Sequence, residues 1–275
     1  MFLIRPIVEG AIDNSNHITN LLDHLNLIKI KSAANDLSIA MQTLQELNEM
    51  DAYLIAKLSE EAYKNKATFV QGVIALQFKK DYPAAIVAFE TGLAHNLPES
   101  INARAYMYAE GHGDPVNYPE AIRLYEQAIA LGHSLAMCNR AYMHYQGHGG
   151  SVNYPEAIRL FEQAIALGNS NAMCNRAAMH QQGLGGPVNY PEAIRLFEQA
   201  FALGNSNAMC NRAAMHQQGL GGPVNYPEAI RLYEQAIALG NSNAMCNRAA
   251  MHQQGLGGPV NYPEAIRLFE QAFAL

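Results

Sequence analysis

Apolar residues along this chain return at helical spacing, and the pattern as a whole returns every 36 residues. Between Asn189 and Gly204, the residues Ala193, Ile194, Phe197, Ala200, Phe201 and Leu203 fall on one helical face, with Arg195 and Glu198 turned away from it. That spacing predicts an amphipathic helix packed on a core. Its ends are written in the sequence too. Asn189 can accept from the first backbone N–H groups, Pro191 sits in the first turn where no donor is needed, and Gly204 can take the left-handed closing conformation. The preceding stretch, Ser170 to Gly183, has no proline or internal glycine and is rich in Ala, Met, Gln and Arg, which predicts another helix. We call this helix A and the later one helix B. A glycine-punctuated loop over 183–188 joins them.

The unit is copied. Tyr82, Tyr118, Tyr154, Tyr190, Tyr226 and Tyr262 are each followed by proline, and the segments 171–206 and 207–242 differ only at Phe197 against Tyr233 and Phe201 against Ile237. Self-similarity at such a period is the mark of a solenoid, in which each unit buries its apolar face against its neighbours. Residues 1–66 follow another pattern. Ile18, Leu21, Leu22, Leu25 and Ile28 share one helical face, Leu37, Met41, Leu44 and Leu47 a second, and Leu54, Ile55, Leu58 and Ala62 a third. An N-terminal helical cap is the expectation there. At the other end Leu275 directly follows a B helix. The final apolar face is therefore expected to be exposed, paired with another copy through self-association, or covered by sequence beyond Leu275.

The order Ala172, Ala177, Met179, Gly183, Gly185, Pro187, Tyr190, Ala193, Phe197, Ala200 and Gly204 resembles the Sel1-like repeat, a longer-looped relative of the tetratricopeptide repeat (TPR). The resemblance covers residues 99–275. Residues 67–98 lack the glycine loop and are more similar to a TPR unit. The resemblance implies an all-α fold: a right-handed superhelical solenoid of helix-turn-helix repeats, A helices lining a concave face and B helices outside. It also implies an adaptor or scaffold, in a family numerous among bacteria that live inside eukaryotic cells.

Composition narrows the function. Of the residues, 49% are hydrophobic and 15% charged, and the formal net charge is −6. The chain can bury a core, and it lacks the clustered Lys and Arg that nucleic-acid binding needs. All lysines lie between residues 29 and 80. No run approaches the ~20 apolar residues of a membrane helix, and the first ten residues do not read as a secretory signal. A cytoplasmic protein is expected, or one exported into a host cell by a route independent of a signal peptide. Cys138, Cys174, Cys210 and Cys246 occupy one position in successive repeats. Stacked helices sit about 9–10 Å apart, beyond the ~7 Å between Cα atoms that a disulfide tolerates, so thiols are expected.

Several repeated residues invite a chemical reading. The Gly-x-Gly loops, as at Gly183 and Gly185, lack the strand and the Lys or Ser/Thr partner of a phosphate cradle and read as turns. His144, His180, His216 and His252 stand six residues after the cysteines. Six residues turn a helix by about 240°, so the two ladders diverge and no metal site is expected; His144 with His148 has ligand spacing once only. Arg104, Arg140, Arg176, Arg212 and Arg248 stand where the resembled family carries a buried leucine. An unpaired guanidinium buried there would cost several kcal/mol. Either Glu126, Glu162, Glu198, Glu234 and Glu270 pair with them internally, or they reach a ligand carboxylate or phosphate.

By analogy with TPR units, the groove would be lined by Asn175, Ala178, Gln181 and Gln182 and their copies. An Asn ladder (Asn139, Asn175, Asn211, Asn247) and a Gln ladder (Gln146, Gln182, Gln218, Gln254) would either satisfy the backbone of an extended peptide or be ordinary solvated amides. Tyr106 and Tyr142 replace alanine at the Ala178 position, and Tyr145 replaces Gln181. Aromatic residues dominate binding hot spots, which places a specific contact at 102–146. No nucleophile, acid–base pair or cofactor motif stands out from the repetition. The expectation is a non-enzymatic scaffold for a protein or extended peptide, in a narrower form a secreted bacterial virulence effector acting on a host protein. The alternatives are a regulatory or docking portion of a larger enzyme and, less favoured, a glycan binder.

Overall fold

The computed structural model describes residues 61–273. Among them the chain forms twelve α-helices and no strand. These are α1 (Glu61–Ile74), which runs on into a π-helical turn at Ala75–Lys79, α2 (Tyr82–Ala94), α3 (Pro98–Glu110), α4 (Tyr118–Ala130), α5 (Ser134–Gln146) and α6 (Tyr154–Ala166). They continue as α7 (Ser170–Gln182), α8 (Tyr190–Ala202), α9 (Ser206–Gln218), α10 (Tyr226–Ala238), α11 (Ser242–Gln254) and α12 (Tyr262–Phe273). From α3 onward A and B helices alternate as the sequence predicts, while the cap expected over 1–66 lies almost wholly outside the described residues. The described chain divides into two compact units, one ending at Ala172 and one starting at Met173.

Each helix end has a chemical cause. Asn117, Asn153, Asn189, Asn225 and Asn261 accept from the backbone N–H three residues on, at 3.2 Å in each repeat. This satisfies a first-turn donor that proline does not need to share. The A helices close on glycine: Gly147 has φ +75° and donates to the Met143 carbonyl. The B helices end one residue earlier than their glycine. Leu203 closes α8 through its bond to the Ala200 carbonyl, and Gly204 follows with φ +78°. Leu203, expected on the core face, is consequently exposed, and Leu196 is buried in its place.

In the first unit the core between α3, α4 and α5 is Ile101, Ala105, Ala121, Leu124, Tyr125, Ala128, Ala136 and Met143. In the second, Met209, Ala213, Ala229, Leu232, Tyr233, Ala236, Ala244 and Met251 form its counterpart between α9, α10 and α11. Alanines at each contact let helix axes approach closely, while one large ring and one methionine per repeat fill the remaining volume. The Gly-x-Gly loop belongs to this packing. A Cβ on Gly149 would lie 2.8 Å from Ile122 Cδ1 and 3.1 Å from Tyr118 Cβ, and one on Gly221 would lie 2.9 Å from both Ile194 Cδ1 and Tyr190 Cβ. The second glycine lets each loop rest on the B helix before it. Tyr262 and Ile266 of α12, the copies of residues covered in this way, are exposed.

Neighbouring A helices are also tied through their starts. Asn241 caps α11 by accepting from Ala244 N–H, and its Nδ2 donates to Ser206 Oγ at 3.2 Å and Asn207 Oδ1 at 2.8 Å. The amide is buried, so its donors and acceptor need these partners.

Candidate partner-binding face

The residues that set the first unit apart gather on the solvent side of α3 and α5. Tyr106 and Glu110 are one turn apart on α3, and Tyr142 and Gln146 one turn apart on α5; all four are exposed, the tyrosines by 39% and 42%. Neither ring stands alone. His112 stacks on Tyr82 at 5.2 Å and 10°, and Tyr106 tilts against it at 5.7 Å. One repeat later His148 stacks on Tyr118 at 5.1 Å and 14° and meets the edge of Tyr142 at 6.5 Å. Tyr142 in turn stacks on Tyr145 at 5.9 Å, and Tyr145 lies 6.0 Å from Tyr154. Such pairs add about 0.5–1.5 kcal/mol beyond burial and hold the rings in place.

Gln146 Nε2 donates to the Tyr142 phenol oxygen at 2.9 Å. Burial pushes the Tyr106 pKa up, helped by the Glu110 carboxylate and Tyr82. Burial also raises that of Tyr145, with Tyr154 and Tyr142 adding to it. Both phenols stay neutral donors at any ordinary pH. The structure thus brings Tyr142, Tyr145 and Gln146 together, and sets Tyr106 at the same place one repeat earlier. His112 and His148, which support the exposed rings, escape a reading of the sequence that looks for contact residues alone. Their signal was nonetheless present, because the later repeats carry Leu184, Leu220 and Leu256 at the same position.

In the second unit the same positions hold Ala214 and Gln218 on α9 and Ala250 and Gln254 on α11, with the glutamines exposed and the alanines half-buried. Gln182 at the end of α7 is exposed as well. The Asn ladder is tied to the neighbouring repeats. Asn139 Nδ2 donates to Asn102 Oδ1 at 3.0 Å, Asn211 Nδ2 to Cys174 Sγ at 3.6 Å and Asn247 Nδ2 to Cys210 Sγ at 3.5 Å. These amides, like Asn175, are half-buried, and one hydrogen of each bonded amide is committed to the preceding repeat instead of a ligand. None of the cysteines is in a disulfide. Burial pushes the Cys174 thiol up to about 12 and Cys210 to about 11, against the donating amides, so neither is a reactive thiolate at neutral pH.

The arginines turn inward. Arg140 meets Glu126 at 3.8 Å, Arg212 meets Glu198 at 3.6 Å and Arg248 meets Glu234 at 3.9 Å, each reaching the B helix of the repeat before it. Arg176 is half-buried on α7. Arg104 is 3% exposed and held more tightly, by Asp114 at 2.7 Å and Glu90 at 3.5 Å, with its guanidinium carbon 3.9 Å from the Tyr108 ring centroid. Of the two readings of this ladder, the geometry of Arg104, Arg140, Arg212 and Arg248 is that of internal ion pairs. On the outer face Arg123 forks onto Glu120 and holds its carboxyl below the usual range, as Arg159, Arg195, Arg231 and Arg267 do for their partners. Among the described residues no three His, Cys, Asp or Glu side chains converge as a metal site, and no helix is long and apolar enough to cross a membrane.

Stacked helix pairs with an open, copied A-helix face define a helical repeat protein of the protein-interaction kind. The Sel1 repeat family model matches residues 98–133, 134–169, 170–205, 206–241 and 242–275, and the chain belongs to that family, whose members are generally non-catalytic protein-interaction modules. Comparison with curated proteins found no match. Among solved structures it is similar to a Sel1 repeat protein from Oxalobacter formigenes (24% identity, TM-score 0.62, covering 74% of this chain and 83% of that one). It is also similar to a protective antigen of uropathogenic Escherichia coli (20%, TM-score 0.55, covering 94% and 56%). A third is an immunity protein from Pseudomonas aeruginosa (16%, TM-score 0.57, covering 77% and 83%). At these identities the likeness is one of fold.

Proposed function

We propose that this protein is a non-enzymatic scaffold that holds an extended segment of a partner protein across the exposed face of α3 and α5. The observation that carries the reading is the pair of supported aromatic rungs, Tyr82–His112–Tyr106 and Tyr118–His148–Tyr142–Tyr145, in which Tyr106 and Tyr142, Tyr145, and His112 and His148 stand where the second unit has alanine, glutamine and leucine respectively. Exposed aromatic rings whose orientation is already fixed lose little entropy on binding and are the usual energetic anchors of an interface. The Cys138 thiol is buried and Arg104 and Arg140 are engaged in internal ion pairs, so these groups are not offered to a ligand on this face.

The test replaces Gln146 with a photocrosslinking residue and compares the partner captured by the full chain with that captured when Tyr106, Tyr142 and Tyr145 are all changed to alanine. The same adduct should form with the native face and vanish with the alanines, while circular dichroism shows both chains folded. An adduct of equal yield in both removes the face from the interaction.

A further inference from the structure

Resting on that reading, we infer that the segment held there is proline-rich, in the polyproline II conformation, with prolines seated on Tyr106 and Tyr142 and a basic side chain next to Glu110. The first support is spacing. The bond from Asn139 to Asn102, 3.0 Å long, shows α3 and α5 lying side by side, and helices packed in this way have axes about 8–10 Å apart. Tyr106 and Tyr142 occupy one position on two such helices, which sets the backbone anchors of the two rings at about that interval. A polyproline II helix rises about 3.1 Å per residue with three residues per turn, which presents one face about every 9 Å. An extended strand presents the same face about every 6.5–7 Å and misses this interval.

The second support is hydrogen bonding. A polyproline II segment has no internal bonds, and each proline lacks a backbone donor, so the chain offers chiefly carbonyl acceptors. The face answers with donors. Because Tyr142 accepts from Gln146, its own hydroxyl hydrogen remains to be donated, and the exposed Tyr106 phenol offers a second donor. Aromatic rings with outward donors are how such segments are held elsewhere in proteins.

The third is charge. Arg104 is buried and Arg140 nearly so, the one engaged by Asp114 and the other by Glu126, which leaves neither guanidinium available to a ligand on this face. Glu110 remains exposed one turn beyond Tyr106, close enough to raise its phenol pKa. A Lys or Arg beside the first proline would meet it, while an acidic flank would be repelled.

The experiment uses the full chain and two fluorescent twelve-residue peptide libraries, one with fixed Pro-x-x-Pro and the other with proline excluded, read by anisotropy. The proline library should bind the native chain at least about tenfold more tightly than the other, and Tyr106→Ala with Tyr142→Ala should abolish that preference. Tyr142→Phe should retain part of it through the ring. Glu110→Gln should remove selection for Lys or Arg flanking the motif and flatten the salt dependence. If both libraries bind alike and both depend on the tyrosines, the face holds peptide but not by proline, and this inference falls while the scaffold reading stands. If neither binds to a chain shown to be folded, both fall.

Discussion

Between Pro98 and Ala166, and again between Ser206 and Gln254, the helices repeat with the same asparagine caps on their B helices and the same left-handed glycines, yet their exposed A-helix faces have little in common. The earlier stretch carries Tyr106 and Tyr142 on histidine supports, with Tyr145 against Tyr142, whereas the later one carries Ala214, Gln217 and Ala250. The buried side is nearly constant: Ala105, Ala141, Ala213 and Ala249 are all inaccessible. Folding and contact therefore draw on separate residues of one repeat. Changes to the shared set should damage either stretch, while changes to the distinctive set should touch binding alone.

The largest expected effect is on the shared set. Gly149→Ala combines a residue at φ +81° with a Cβ pressed against Ile122 and Tyr118. The left-handed backbone costs about 1–2 kcal/mol and the overpacking about 1–3 kcal/mol. A total near 3 kcal/mol is expected, read as a lower urea midpoint of the full chain, with Gly221→Ala behaving alike in the second unit. Gly132→Ala is the control, because at φ +79° it meets nothing within 4 Å. Only the backbone term of about 1 kcal/mol applies there. Equal losses at Gly149 and Gly132 would show that the loop does not bear on the preceding B helix.

Next comes the arginine ladder, where the first repeat differs from the rest. Asp114 stands where the later repeats have Gly150, Gly186, Gly222 and Gly258, and it gives Arg104 a contact 2.7 Å long, shorter than those of Arg140, Arg212 and Arg248. Arg104 Nε and Nη1 are buried with no hydrogen-bond partner among the described residues, so this guanidinium depends on few contacts. Asp114→Ala is expected to cost about 2 kcal/mol, below the ~3–5 kcal/mol of a fully buried pair because Asp114 is partly solvated. Glu126→Ala, which removes an exposed partner 3.8 Å from Arg140, should cost about 0.5 kcal/mol. If the two losses in urea stability are alike, the Tyr108 ring and not Asp114 is what holds Arg104.

The helices and their ends were legible because each end has its own chemistry: an asparagine, a proline in the first turn, a glycine in the left-handed region. The Leu203 assignment failed because helical periodicity was carried past the cap, where the chain has already left the helix. The bonds of the Asn ladder to the neighbouring repeats were not legible for a different reason. Position on a helix tells which way a side chain leaves the axis but not what the next repeat brings over it, and Asn102 meets Asn139 only through stacking. Glu126 was legible as a recurring partner for arginine, whereas Asp114 was not, since it occurs once and sits in the loop. His112 and His148 could have been found by asking what supports an exposed ring where later repeats have leucine.

The smallest effect expected is a pH dependence peculiar to the first unit. His133 caps α5 at the position where Asn205 and Asn241 cap α9 and α11, its Nδ1 accepting from Ala136 N–H at 3.2 Å. That bond needs an unprotonated Nδ1. Burial pushes the His133 pKa below its ordinary 6.5, with Glu99 pulling weakly the other way. Below about pH 6.5 the unfolded chain thus binds a proton that the folded chain refuses, so stability present above that value is lost as pH falls through the lowered one. His144, His216 and His252, also lowered by burial, act with the same sign in both units. Asparagine makes the cap without titrating. His133→Asn should therefore leave the melting temperature nearly unchanged at pH 7.5 and raise stability by up to about 1 kcal/mol at pH 5.5, the worth of one cap. Wild type and variant losing the same number of degrees between these two pH values would mean that the ring, once protonated, finds another way to close the helix.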